Sequence, residues 1–148
     1  MNAESFAIHT RAALFAGRER YDPNVRARIE IGERMTDADY ASLITARGRL
    51  ITDANARSAG YDALVFPAVA CVAPRFGDIG DSAAWSRANA MMLRNASLVN
   101  MLDRCALSLP MHRGDELPVG LMIVGETMDD ARLLAIGAAV ERALARVR

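Results

Sequence analysis

Three short apolar runs, each followed by a proline or a glycine, constrain the fold of this chain more than any other sequence feature. The runs are residues 63–66, 105–109 and 119–124, followed by Pro67, Pro110 and Gly125. Such short runs favour strands over helices, and the unbroken apolar character of residues 63–66 predicts a strand buried on both faces. Because three short strands form a marginal sheet by themselves, we expect a sheet covered by helices.

Helical periodicity fills most of the remaining sequence. Residues 36–58 begin with a Thr36–Asp39 capping box and predict a helix. Residues 85–101 carry an apolar stripe, and a last helix is predicted to begin at Thr127 as N-cap. A first helix is predicted over residues 3–16, and residues 68–84 read as a long irregular connection. The result is one α/β domain over residues 1–148. Its order is α-α-β-α-β-β-α, with a mixed sheet flanked by helices, a parallel crossover and a hairpin over residues 105–124.

The charge balance of the chain argues against several classes of partner. Its 148 residues contain 18 basic and 18 acidic side chains, so the formal net charge is 0. A neutral protein has no surplus charge with which to attract nucleic acid or anionic lipid, so we expect neither partner. The first twenty residues show no apolar leader, and no apolar run has the length of a membrane span. These features predict a cytoplasmic protein whose two cysteines are reduced.

Every one of the 18 basic residues is an arginine. A lysine base or a lysine Schiff base is therefore excluded within this chain. Cysteine and histidine offer another nucleophilic chemistry, but Cys71 and Cys105 both stand in apolar contexts that are typical of inert thiols. These cysteines, together with His9 and His112, lack the recurring spacing of metal ligands, so we predict no metal and no cofactor.

Short motifs occur in order along nearly the whole chain. In the first half they are residues 21–29 (YDPNVRARI), Gly32, Asp39, Tyr40, Arg47, residues 61–67 (YDALVFP), Ala73 and Pro74. In the second half they are Arg94, Asn95, Asn100, residues 105–110 (CALSLP), residues 117–122 (LPVGLM), Gly125, Asp130, Leu133, Leu134 and Glu141. Together these motifs resemble the C-terminal part of the amidase signature family.

The resemblance implies an α/β fold on one large mixed sheet and the hydrolysis of carboxamide C–N bonds. In that family a serine nucleophile, a second serine on a cis peptide and a lysine base act together, and glycine-rich backbone amides form the oxyanion hole. This sequence has no lysine and no adjacent serines. It therefore corresponds to the part that follows the signature region. We assign no catalytic residue to it and expect it to be inactive alone.

Four residues of the matching part are candidates for substrate binding. Arg28 and Arg94 are proposed because amidotransferase-type relatives hold a charged substrate end in this portion, and a guanidinium suits a carboxylate. Asn100 and Asp103 precede the closing strand, which would place them at the pocket mouth. The alternatives are surface ion pairing for the arginines and helix capping for the other two.

The chain departs from the family pattern at two places in the matching part. Asp103 and Arg104 stand where members usually carry a glycine just before the closing strand. Ala68 follows Pro67 where threonine is more frequent. Both positions are expected to alter the fine geometry of the pocket.

Three functional hypotheses remain open. The first is the C-terminal segment of an amidase, which meets an amide substrate only together with an N-terminal catalytic half. The second is a non-catalytic interaction module or partner subunit derived from an amidase, for example a homodimer that covers its sheet edge. The third is a small cysteine or histidine enzyme, which requires a reactive thiol.

Overall fold

The computed structural model describes residue 4, residue 17 and residues 19–146. The helix predicted over residues 3–16 therefore lies, apart from Glu4, outside the described residues. The chain groups into two compact units, Met1–Ala46 and Arg47–Arg148. In the described ranges no helix combines the length and the apolar character needed to cross a membrane.

The first unit contains a helix that the sequence analysis missed, α1 (Pro23–Glu30). Its N-cap is Asp22, whose carboxylate accepts hydrogen bonds from the N–H groups of Asn24 at 2.9 Å and Val25 at 3.1 Å. Pro23 occupies the first helical turn, where its missing N–H costs nothing. An Asp-Pro pair is a usual helix start, and it was the available signal here. A 3₁₀ turn, Ile31–Arg34, follows.

The next helix, α2 (Asp37–Ser58), starts and ends close to where the periodicity predicts. The predicted capping box is confirmed at its start. The N–H of Thr36 donates to Asp39 Oδ2 at 3.0 Å, and the N–H of Asp39 donates to Thr36 Oγ1 at 3.1 Å. The hydrogen bonds from the Thr36 hydroxyl and N–H lower the pKa of Asp39.

The second unit is built on a three-stranded sheet of β1 (Leu64–Pro67), β2 (Ala106–Pro110) and β3 (Gly120–Val124). The strand order is β1-β3-β2, and both pairings are antiparallel. The predicted β2–β3 hairpin is confirmed. The predicted mixed pairing is corrected among the described strands: β1 and β2 point the same way, but β3 lies between them, so no two neighbours are parallel.

Two helices cover the sheet from opposite sides. On one face α3 (Ser82–Met101) packs Val99 against Met122 and Val124. On the other face α4 (Asp130–Leu144) lies on β2 and β3, and its Gly137 sits directly over Leu107. The α/β class with helices flanking a sheet is thus confirmed.

The prediction that the first strand is buried on both faces is wrong. Leu64 and Phe66 are half-buried on the α3 side, but Val65 on the other side is 60% exposed. Val65 lies opposite Ile123 in the β1–β3 ladder, and Ile123 is fully buried. The reason for the difference is that α4 packs on β2 and β3, which leaves the outer strand β1 uncovered on that face.

The start of the last helix also differs from the prediction. The N-cap is Asp129 instead of Thr127. The Thr127 hydroxyl donates to the backbone carbonyl of Asp103 at 2.6 Å, and Met128 has a φ of 62°. Because this left-handed backbone cannot begin a right-handed helix, α4 starts after it.

Candidate functional site

The second unit contains a cavity of about 410 Å³. Three segments line it: residues 69–73 after β1, Met92 on α3, and residues 118–120 at the start of β3. Its volume falls in the range of about 300–1,000 Å³ that is usual for small-molecule sites. The irregular connection predicted from the sequence thus contributes most of a cavity wall.

Hydrogen bonds from neighbouring segments hold the loop that lines the cavity. The side-chain amide of Asn95 donates to the carbonyl of Pro67 at 2.7 Å, which ties the end of β1 to α3. The N–H of Ala68 donates to the carbonyl of Gly120 at 2.8 Å, which extends the β1–β3 pairing into the loop. These two hydrogen bonds therefore fix the start of the cavity loop to the sheet and to α3.

Gly120 is required by close packing at the base of the cavity. A Cβ at this position would lie 2.6 Å from Ser108 Oγ and 2.9 Å from the Cβ of Ala68. Ala68 is one of the positions at which this chain departs from the family pattern. Its small side chain lies against the strand at that point, so residue 68 affects packing beneath the cavity.

Of the two arginines proposed for substrate binding, Arg94 belongs to the same unit as the cavity but is not among the residues that line it. Arg94 is exposed on α3, and its Nε donates to Asn95 Oδ1 at 3.3 Å. Arg28 is exposed on α1 in the first unit. In that helix Glu30 lies 3.8 Å from the Nε of Arg26. The substrate contact expected for Arg28 and Arg94 remains a prediction.

Asn100 and Asp103 are brought together at the end of α3 by Arg47, a residue of the family motifs to which the sequence analysis gave no role. The Nε of Arg47 donates to the carbonyl of Met101 at 2.9 Å, and Nη2 donates to the carbonyl of Asn100 at 3.2 Å. Nη2 also lies 3.2 Å from Asp103 Oδ1. A cation at these carbonyls is favourable because the C-terminal end of a helix carries partial negative charge. These contacts correspond to the helix-end role that stands as the alternative to substrate binding.

Asp103 occupies the position at which helices most often carry glycine. Its φ is 59°, its N–H donates to the carbonyl of Asn100 at 3.2 Å, and the N–H of Arg104 donates to the carbonyl of Val99 at 3.2 Å. This pair of hydrogen bonds is a Schellman motif with Asp103 at the left-handed residue. The glycine expected from the resemblance would fit this backbone without strain.

Replacing Asp103 with glycine is expected to give a more stable protein than replacing it with alanine, by about 1–2 kcal/mol in the free energy of unfolding. Both substitutions remove the carboxylate that faces Arg47, so the comparison isolates the cost of a side chain at positive φ. Urea unfolding of the two variants measures the difference. Equal midpoints would contradict this account of the helix end.

Arg104, which also departs from the family pattern, is a buried cation in the second unit. Its side chain crosses to α2, where Nη2 donates to Asn55 Oδ1 at 2.7 Å and to Ser58 Oγ. Its Nε is buried without a hydrogen-bond partner in the described part of the chain. A polar cavity of about 10 Å³ lies beside it, enough for about one water molecule. Arg104, which stands just before β2, therefore connects α2 to this strand. The burial of its Nε without a partner lowers the stability that the connection provides.

The thiols and the histidine that the structure describes occupy separate environments. Cys71 is exposed in the cavity loop, whereas Cys105 is half-buried and its Sγ donates to the carbonyl of Glu126 at 2.9 Å. The Nδ1 atom of His112 lies 3.3 Å from the N–H of Val119. His9 is outside the described residues. Within the described ranges, no three His, Cys, Asp or Glu side chains gather in a metal-binding group.

Sequence reasoning did not predict the partners of the residues that join distant segments. Arg47 and Arg104 contact partners about fifty positions away, and no local pattern reveals such pairs. Asn95 did carry a signal, because it is a polar residue between Met92 and Val99 on the inward face of α3. A polar side chain on such a face usually has a specific partner, which here is the Pro67 carbonyl.

Comparison with known proteins places these features in a family. The family model described as Amidase matches residues 7–134. The chain is 32% identical over 124 residues to the 2-amino-5-chloromuconic acid deaminase of Comamonas testosteroni, covering 83% of this chain and 27% of that protein. It is 32% identical over 151 aligned positions to a glutamyl-tRNA(Gln) amidotransferase subunit from Rhodococcus erythropolis, covering 97% of this chain and 29% of that protein.

A solved structure agrees with the sequence matches. The crystal structure of an amidase superposes with a TM-score of 0.73 at 26% identity, covering 96% of this chain and 33% of that chain. The chain thus spans between about a quarter and a third of the proteins it matches. The match of the family model to most of the sequence and the shared fold together show that this chain belongs to the amidase family.

Proposed function

We propose that this chain is the C-terminal segment of an amidase that hydrolyses carboxamide C–N bonds, and that it is inactive alone. One observation carries the proposal: the chain matches amidases along 83–97% of its own length but covers only 27–33% of theirs. The absence of lysine and of adjacent serines supports the second part, because an unactivated serine hydroxyl is a poor nucleophile.

In the complete enzyme, this segment supplies one wall of the substrate pocket. The cavity beside β1 and β3 is partly open, and Gly120, one of its lining residues, packs closely on Ala68. The catalytic serine and its base come from the remainder of the enzyme and face the cavity opening. The chain contributes shape and position, and the rest of the enzyme contributes the reacting groups.

Exposed apolar side chains of the second unit support docking onto the remainder of an amidase. Val65 on β1, Leu98 on α3 and Leu134 on α4 are each more than half exposed. The outer strands β1 and β2 each pair only with β3 among the described strands, so each presents one unpaired edge there. Such faces and edges mark surfaces that another segment covers.

A chimera tests the proposal. The matching segment of the C. testosteroni protein is exchanged for this chain, and ammonia release is measured on compounds that the intact parent hydrolyses. We expect no release from this chain alone and clear release from the chimera. The parent with its segment deleted is the control and is expected to be inactive. A folded chimera without hydrolysis, or hydrolysis by this chain alone, would contradict the proposal.

The second candidate function is a non-catalytic module or partner subunit that forms a homodimer. The strand edges that have no partner among the described residues favour it, because edge pairing between copies would extend the sheet. Size exclusion with light scattering, followed by a thermal melt of the same peak, discriminates the two. A defined dimer with a cooperative melt would favour the module, whereas polydisperse material would favour the unfinished enzyme.

We infer a cytoplasmic location for the chain. Cys71 and Cys105 are both free thiols in the structure. Free thiols persist most readily in the reducing environment of the cytosol, and an exposed thiol such as that of Cys71 would be prone to oxidation outside it.

A further inference from the structure

The chemistry of the cavity beside β1 and β3 points to a particular class of ligand. Among the described residues, the side chains that line it are those of valine, alanine, cysteine, methionine and proline. None of them carries a charge, an amide or a hydroxyl group. The remaining polar atoms are backbone groups, which can orient a neutral ligand but cannot neutralise an ionised one.

The arginines nearest in sequence do not change this character. Arg94 stands two positions after Met92, and Arg75 stands two positions after Ala73, yet neither belongs to the cavity lining. The guanidinium of Arg94 is engaged at Asn95 Oδ1. A carboxylate or ammonium group that enters the cavity would therefore find no charged or hydrogen-bonding side chain among the lining residues to compensate for the water it displaces, which is unfavourable.

The cavity is built to keep its shape. The hydrogen bond from Asn95 to the Pro67 carbonyl holds the loop on α3, and that from Ala68 to the Gly120 carbonyl holds it on β3. The tight fit at Gly120 leaves no room for a Cβ without movement of Ala68 or Ser108. A wall that is fixed at several points loses little conformational freedom on binding, which favours an apolar ligand of matching shape. A charged ligand would instead keep part of its bound water and would fit this wall less closely.

We propose that this cavity binds the uncharged, apolar acyl group of the amide substrate, with the amide carbon directed to the opening. This inference rests on the proposed function and names its substrate class: neutral aliphatic amides are preferred over amides that carry a second, ionised carboxylate. Discrimination arises because the apolar group gains from leaving water, whereas the carboxylate does not.

Labelling of Cys71 tests binding directly on the full chain. The Cys105→Ala variant leaves Cys71 as the single thiol in the cavity wall, and iodoacetamide modification is followed by mass spectrometry. The probes are hexanamide and succinamate, which have equal numbers of non-hydrogen atoms. We expect hexanamide at about 1–50 mM to slow labelling at least roughly fivefold with saturation, as millimolar affinity predicts, and succinamate to leave the rate unchanged.

Two variants make the labelling test specific to the cavity. Ala73→Asp places a charge in the exposed cavity loop and is expected to abolish protection by hexanamide, and Val69→Asp repeats the test nearby should the first variant fold poorly. Ala138→Asp, at an exposed position on α4, is the matched control and is expected to retain protection. Protection by succinamate equal to that by hexanamide, or no protection in the folded chain, would overturn the inference.

The chimera separates failure of this inference from failure of the proposed function. We expect kcat/KM of the chimera to be at least about tenfold higher for hexanamide than for succinamate, and Ala73→Asp to remove this preference by raising the KM for hexanamide. Hydrolysis with succinamate preferred would overturn only the substrate class. No hydrolysis of any amide would overturn the proposed function, while Cys71 labelling still decides the cavity. If Ala73→Asp instead prevents the exchanged segment from packing on the remainder of the chimera, then part of that remainder occupies the cavity, and the inference is wrong.

Discussion

Replacing Ile123 with alanine is expected to lower the free energy of unfolding by about 2–5 kcal/mol. Ile123 is fully buried at the centre of the sheet, between β1 and β2 and beneath α4. Removing its outer carbons loses apolar burial and leaves a cavity that the flanking strands cannot close, because both are held to β3 by ladder hydrogen bonds. Urea unfolding followed by circular dichroism measures the loss.

Val65 provides a matched control for this prediction. It lies directly opposite Ile123 in the β1–β3 ladder and on the same face, yet it is 60% exposed. Val65→Ala is therefore expected to cost no more than about 1 kcal/mol. Where Ile123→Ala leaves too little folded protein, Ile123→Val is expected to cost about 0.5–1.5 kcal/mol. Equal losses at positions 65 and 123 would show that α4 does not cover the sheet as described.

Arg104→Ala is expected to lower the free energy of unfolding by about 1–3 kcal/mol. Arg104 is 9% exposed and donates to Asn55 and Ser58, so its removal leaves those groups without their donor and empties the space of its aliphatic stem. Arg104→Met is expected to lose less than Arg104→Ala. The methionine side chain fills much of the same space, and the substitution removes the buried Nε, which has no hydrogen-bond partner among the described residues.

Arg132 is the matched control for a surface arginine. It forms an ion pair with Asp62 at a position that is 51% exposed, so Arg132→Ala is expected to cost no more than about 1 kcal/mol. Thermal and urea unfolding of the three variants place them on one scale. A loss at Arg104→Ala no greater than that at Arg132→Ala would contradict the role of Arg104 in holding α2.

Local sequence patterns predicted correctly those elements that are determined by residues only a few positions apart. The Thr36 and Asp39 capping box formed as expected, since its hydrogen bonds span three residues. The inward stripe of α3 was also correct at Trp85, Met92 and Val99, although Ala96 on the same stripe is exposed. The hairpin over residues 105–124 followed from two apolar runs around a short polar turn.

Features that depend on distant segments were not predicted. Val65 is exposed because α4 packs on β2 and β3 and does not reach β1. The helix α4 starts later than predicted because the Thr127 hydroxyl donates to the Asp103 carbonyl instead of capping the helix. The same holds for the candidate site. The substrate contacts of Arg28, Arg94, Asn100 and Asp103 stay predictions, whereas the cavity is formed by three segments that only the tertiary structure brings together.

The sequence by itself determined the family, the α/β class, the order of most elements and the absence of a lysine base from this chain. These properties depend on residue identity and on short-range periodicity. Only the tertiary structure decided that β3 lies between β1 and β2, that Arg104 is buried against α2, and that the loop after β1 forms an apolar cavity with Met92 and Gly120. These features arise from contacts between segments far apart in the chain, which packing of the whole unit selects.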